Sequence, residues 1–298
     1  MTDSVASLTA AVVTAPVARS PGYWSNVLRR LRRDPLALTA GGVILALIII
    51  AILAPWITPA DPFQASMLKR LRPIGTEGYP LGADELGRDM LSRLMLGARL
   101  SLFMGIVPVI AAFVVGSAIG ILAGYAGGWT STLIMRVVDV FYAFPSVLLA
   151  IALSGTLGAG IFNAILSLTI VFVPQIVRVA ESVTTQVRRS DYVDAARASG
   201  ASPFTIVRAH VLSNVLGPIF VYSTSLISVS MILASGLSFL GLGVRPPEPE
   251  WGLMLNTLRT AIYTQPWVAA LPGVMIFITS MSFNLLSDGL RSAMEVKE

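Results

Sequence analysis

The residue types that usually carry catalysis are almost missing from this chain. It has no cysteine and a single histidine, His210. Disulfides, thiolate metal sites, iron–sulfur clusters, thiol nucleophiles and imidazole clusters are therefore all excluded, and no catalytic, metal or cofactor residue is assigned. Its two lysines, Lys69 and Lys297, are followed by Arg70 and Glu298. The phosphate-binding loop GxxxxGK[ST] requires Ser or Thr at that position. Any ATP and Mg that power this protein must be bound by another chain. The remaining candidates are polar groups inside apolar runs: Asn163, Gln175, Asn284, and the pair Arg136 and Asp139. An i,i+3 ion pair is the reading for Arg136 with Asp139. Gln175, beside Pro174, fits two roles equally, patching a broken backbone ladder or lining a pathway.

The elements that hold these groups follow from hydropathy. Hydrophobic residues make up 55% of the 298 and charged residues only 12%, far more apolar surface than a soluble core of this size uses. The excess must face lipid. An uncharged run over 36–55 is long enough to cross the hydrocarbon as a helix, with Asp34-Pro35 as its cap and first position and Pro55 and Pro59 at its end. Further runs near 100–124, 137–158, 161–177, 215–240 and 267–287 give an all-α integral membrane protein with six transmembrane helices. Pro108, Pro145 and Pro174 should kink the spans that contain them. Gly155, Gly158 and Gly160 mark a short turn between the third and fourth spans.

Even parity puts both termini on one side, and Arg29, Arg30, Arg32 and Arg33 make that side cytoplasmic in a multi-pass cell (inner) membrane. The division expected is a cytoplasmic tail 1–35 whose first 22 residues are flexible, the first span 36–55, an external loop 56–99, a transmembrane core 100–290 and a cytoplasmic C-terminal tail 291–298. Within the core, 178–214 forms a cytoplasmic loop carrying Arg178, Arg188, Arg189, Arg197 and Arg208. The net charge of +5 is thus read as topology, with the lipid bilayer as the partner and no nucleic acid.

Inside that loop, 190–204 contains two helix signals around one stop. Ser190 or Asp191 caps a first helix, Gly200 takes the left-handed position that ends it, and Ser202-Pro203 starts a second. Ala195, Ala196, Ala198 and Gly200 admit a close backbone, while Tyr192, Val193 and Phe204 are apolar anchors. These residues fit either a docking surface for a partner or an amphipathic hairpin lying on the membrane.

The sequence Asp194-Ala195-Ala196-x3-Gly200, followed by His210-Val211-Leu212-Ser213-Asn214, resembles the EAA loop of ABC importer permeases. Asp194 stands where Glu is usual, and Ser213 where Pro is common. The segment Pro80 to Arg93, reading PLGADELGRDMLSR, is similar to that of the C-type membrane subunits of dipeptide, oligopeptide and nickel importers. So is Leu237 to Gly252, LSFLGLGVRPPEPEWG. In the first of these, Gly82 and Gly87 bracket a turn, and Asp84, Arg88, Asp89 and Arg93 fit an ion-pair network that rigidifies a surface. In the second, Gly and Pro spacing predicts a stiff, partly re-entrant turn with Trp251 at the membrane interface.

The resemblance implies a type I importer permease without covalent chemistry of its own. It also implies a second homologous permease subunit, two ABC ATPase subunits and an external solute-binding protein as partners. The loop at 190–204 would be the coupling helix seated on an ATPase, with Tyr192, Asp194, Ala195, Ala196, Gly200 and Phe204 as its contact residues. Peptides are the default cargo, with nickel or another small solute as alternatives. Two other classes fit less well. An ion-driven secondary transporter needs carboxylates within its spans, and an intramembrane enzyme needs a nucleophile with a base; the spans supply almost none of either.

Overall fold

The computed structural model describes residues 23–294. The expected flexible tail over 1–22 and Lys297 lie outside the described residues, and among the described ones there is no strand. A short helix α1 (Tyr23–Leu31) precedes the first span, with Val27 buried. Helix α2 (Pro35–Ile57) begins as its sequence dictates: the Asp34 carboxylate accepts hydrogen bonds from the amides of Leu36 at 2.9 Å and Ala37 at 3.2 Å, and Pro35 takes the first turn. Pro55 does not end it; the helix closes two residues later, with the Thr58 amide bonded to the Ala54 carbonyl.

Helix α3 (Met90–Ala126) starts ten residues before the apolar run that announces it, because Asp89 caps it through the Ser92 amide at 2.8 Å. Helices α4 (Gly128–Tyr142) and α5 (Ser146–Leu157) follow, then α6 (Ile161–Arg188). The hairpin helices α7 (Asp191–Ala198) and α8 (Pro203–Ile206) lead through one π-turn, Val207–Val211, into α9 (Leu212–Phe239). A seven-residue helix α10 (Trp251–Thr257) and the last span α11 (Pro266–Met294) complete the chain.

Among the described residues five helices are long and apolar enough to cross a membrane, and α4 with α5, taken as one span bent by 87°, makes a sixth crossing. The third span is therefore broken rather than kinked, a correction to the reading of 137–158 as one helix. Pro145 has no amide to donate and disfavours a helical Phe144 before it, so the ladder stops and restarts. The fourth span likewise runs past 177 to Arg188, so Arg178 lies within a spanning helix and not in a loop.

Packing is organised by α3, which lies against α2, α6 and α9. Gly116, Gly120 and Gly124 share one face of α3 and meet α6 so closely that a Cβ on Gly120 would stand 2.5 Å from Ala180 Cβ and 2.6 Å from the Val177 carbonyl oxygen. Without a hydrophobic drive between helices in lipid, such small-residue seams supply the van der Waals contact that holds spans together. Phe172, Ile176, Leu168, Val215 and Ile219 fill the adjoining core.

A second core surrounds Trp251, which is fully buried instead of lying at the membrane interface as expected. Its indole Nε1 donates to the Leu94 carbonyl at 3.0 Å and its amide to Ser101 Oγ at 3.0 Å. Satisfied at both polar ends, the ring has no need of water. Glu250 beside it is the N-cap of α10, accepting from the amides of Gly252 and Leu253 at 2.9 Å each and from Ser101 Oγ at 3.1 Å. Burial raises its carboxyl above the ordinary value, and these donors partly oppose the rise. Glu250→Ala is expected to cost about 1–3 kcal/mol through the orphaned donors, read as a lower unfolding temperature in detergent; an unchanged temperature would contradict this account.

Candidate functional site

Residues 189–211 form a compact hairpin on the side of the molecule that also holds α1, here the near side. Helix α7 ends as predicted: Gly200 has φ +79°, its amide bonds to the Arg197 carbonyl at 3.0 Å, and the Ala201 amide bonds to the Ala196 carbonyl at 3.1 Å. Ser202 caps α8, accepting from the Thr205 amide at 3.2 Å with Pro203 next in line. Ser190 occupies the N-cap of α7 without a side-chain cap bond.

The hairpin has two faces. Val193 and Ile206 are buried at 0% and 1% exposure and fasten it to the core, so Val193 is not an outward anchor. Ala196 is half-buried and packs on the same cluster. Tyr192, Asp194, Ala195, Gly200 and Phe204 stay exposed, Phe204 at 74%. Five of the six candidate contact residues are thus exposed on one small element. Asp194 is held by Arg197 at 2.8 Å, a bond its shorter side chain reaches within its own helix. Tyr192 packs beside His210, ring centroids 6.4 Å apart, which gives His210 a structural place.

No break follows the second limb. Leu212 donates to the Val207 carbonyl, the π register, and Asn214 Nδ2 donates to the His210 carbonyl at 2.6 Å. With Ser213 in place of proline, a single helix runs from Pro203 to Phe239. Behind the hairpin lies a polar cavity of about 580 Å³, edged by Glu181, Arg188 and Arg197.

On the far side, 58–89 and 240–265 fold over the span ends. Asp84 accepts from Arg88 Nε at 2.6 Å and from the amides of Leu86 and Arg88 at 2.9 Å, and Arg93 Nε lies 3.2 Å from it. The expected network exists but is buried, with Asp84, Arg88 and Arg93 at 2%, 6% and 3% exposure. Asp89 belongs to the α3 cap instead. Burial, then the neighbouring Asp84 charge, pushes the Glu85 carboxyl upward. Ionising Glu85 therefore opposes folding, and its contribution to stability falls as pH rises through that raised value.

Of the polar residues within spans, Asn163 ties the α5–α6 turn by donating to the carbonyls of Leu157 and Gly158 at 2.8 and 2.9 Å. Asn284 is exposed on α11. Asp139 does not pair with Arg136; it pairs with Arg178 of α6, which also lies over the Tyr142 ring at 4.2 Å. Gln175 edges a cavity of about 360 Å³ at the break between α4 and α5.

All-helical among the described residues, with six crossings, one of them broken, and a capped interhelical hairpin on one face, this is a polytopic membrane protein. Residues 116–296 match the model of the binding-protein-dependent transport system inner membrane component, and 22–73 match the N-terminal transmembrane domain of oligopeptide transport permease C. The chain belongs to this family of inner-membrane transport components, as a permease subunit of an ABC-type importer whose ATP hydrolysis lies in separate chains. Similar to it are the glutathione transport system permease protein GsiD of Pectobacterium atrosepticum, 40% identical over 97% of both chains, and that of Salmonella paratyphi A, 43% identical over 96% of this chain and 94% of the other. An inward-facing structure of the MetNI methionine ABC transporter shares the fold, with a TM-score of 0.58 at 20% identity over 68% of this chain and 97% of that one.

Proposed function

We propose that this chain imports small peptides, as one of two related permease subunits served by two ATPase subunits and an external solute-binding protein. The near side is the cytoplasm, which places both termini there; six crossings and the Arg29–Arg33 cluster support that orientation. Peptide cargo is supported by relatives named for glutathione, itself a tripeptide, and by the oligopeptide permease domain matched at 22–73. The hairpin is the coupling element. The observation that carries this role is its division of labour: Val193 and Ile206 fix it rigidly to the core while Tyr192, Ala195, Gly200 and Phe204 stand free for an ATPase surface. Closure of the ATPases then shifts the spans between inward-open and outward-open states.

The test is Gly200→Val. No atom lies within 4 Å of the position a Cβ would take, so the substitution meets no clash. It must instead leave φ +79°, which costs a non-glycine residue about 1–2 kcal/mol. The turn, not the core, absorbs that cost. Normal abundance in the membrane with uptake reduced about tenfold or more is the expected result, measured with labelled dipeptide in right-side-out vesicles. Unchanged uptake and unchanged ATPase assembly would end the coupling assignment.

A further inference from the structure

Several polar groups within the spans lie on one seam. Along α6, Gln175, Arg178, Glu181 and Thr185 recur at helical spacing, covering about 15 Å of one face. Helix α4 crosses that face and answers it: Ser131 Oγ donates to Glu181 at 3.2 Å, and Asp139 accepts from Arg178. The Arg178 and Asp139 side chains are 45% and 48% exposed. Arg178 sits ten residues, about 15 Å, before the end of α6. Ionised groups at such a position avoid lipid and face protein or water, so this face of the subunit does not contact acyl chains.

Two openings bracket the seam: the cavity of about 360 Å³ at the α4–α5 break, edged by Tyr142, Pro145 and Gln175, and the larger one behind the hairpin that Glu181 and Thr185 share. The smaller has the volume of a small-molecule site and is walled by Tyr142, over whose ring Arg178 lies just outside it; helix breaks with freed backbone groups are where transporters hold solutes. A guanidinium and a carboxylate side by side match one chemistry in particular: a short zwitterion, carrying one carboxylate and one ammonium.

Resting on the peptide-import reading above, we propose that the α4–α6 seam lines the cytoplasmic half of the translocation path, and that Arg178 and Asp139 exchange their mutual pairing for the charged ends of a small unblocked peptide. Opening the pair for a ligand that re-pairs both ions leaves no charge stranded in the passage.

The absence of cysteine makes the test direct. Gln175→Cys, Thr185→Cys and, as the lipid-facing control, Leu45→Cys are placed singly in the assembled transporter and treated with a membrane-impermeant methanethiosulfonate in inside-out vesicles. Labelling of the two seam positions is expected to be at least about tenfold faster than at Leu45, and alanyl-alanine should slow labelling at Gln175→Cys by a similar factor. N-acetyl-alanyl-alanine amide, which has neither charge, should not protect, and adding Arg178→Gln should abolish the protection. Seam rates equal to the control, equal protection by the blocked peptide, or protection that survives Arg178→Gln would each overturn the inference. Parallel right-side-out vesicles of the unaltered complex separate the two levels. Uptake of alanyl-alanine without protection defeats only this site, whereas no uptake of any peptide defeats the import reading itself.

Discussion

Asp84→Ala is expected to cost about 3–5 kcal/mol and to remove most of the folded protein from the membrane. The Asp84 carboxylate is the only acidic group in contact with both Arg88 and Arg93 among the ion pairs of the described residues. Both guanidinium groups are buried, so deleting the carboxylate leaves Arg93 with no ion partner and Arg88 with Glu85 alone under the far-side loop. Two backbone amides, those of Leu86 and Arg88, lose their acceptor as well. Asp84→Asn keeps an acceptor for one of these partners and should fall between the two. The measurement is membrane abundance together with unfolding temperature in mild detergent. A loss below about 1 kcal/mol would mean that the cluster behaves as an exposed one.

Gly120→Leu is expected to have a comparable effect by a different route. At this point α3 touches the α6 backbone itself, with the Val177 carbonyl oxygen 2.6 Å and the Glu181 nitrogen 3.1 Å from the site of a Cβ. Main-chain atoms cannot rotate away as a side chain does. The helices would have to separate along the Gly116–Gly120–Gly124 seam, a penalty above about 3 kcal/mol at the upper end of overpacking. Gly236 of α9 provides the contrast, since nothing lies within 4 Å of its would-be Cβ. Gly236→Ala should be neutral or should stabilise slightly through helix propensity. Equal behaviour of the two variants would show that close approach does not hold α3 against α6.

What the sequence disclosed, and what it withheld, follows the range of the forces involved. The six crossings are a local property of apolar runs, and the hairpin is a local property of Ser202, Pro203 and Gly200; both were legible. The start of α3 at Met90 was not, since Arg93 and Arg99 break the apolar run; Arg93 is accommodated by Asp84 and the distant Pro62 carbonyl, and Arg99 is exposed. The pairing of Asp139 with a residue 39 positions away has no local trace, and the nearer Arg136 offered a cheaper reading. Trp251 misled for the same reason: a tryptophan near a span end usually lies in the interface, and only the Leu94 carbonyl and Ser101 draw this one inward. The glycine seam was available in the spacing of residues 116, 120 and 124, a small-xxx-small pattern that hydropathy does not register. The break at Ala143–Pro145 was half visible, because proline signals a disturbance but not its angle.

The helical passage from Pro203 to Phe239, which carries the π-turn at Val207–Val211 and Pro218 within it, has a mechanical consequence. Thirty-seven residues of helix, about 55 Å, join the hairpin's outer limb to the far-side turn with no loop between them. A loop would dissipate a push; a continuous helix, even with a π-turn and a proline in it, passes more of it on. Force delivered at Phe204 therefore arrives at Phe239, whose carbonyl accepts from Asn256 of α10, the short helix that buries Trp251. On the proposed coupling role, this helix makes the subunit a lever whose two ends lie on opposite sides of the membrane, so that a small tilt at one surface is a displacement at the other.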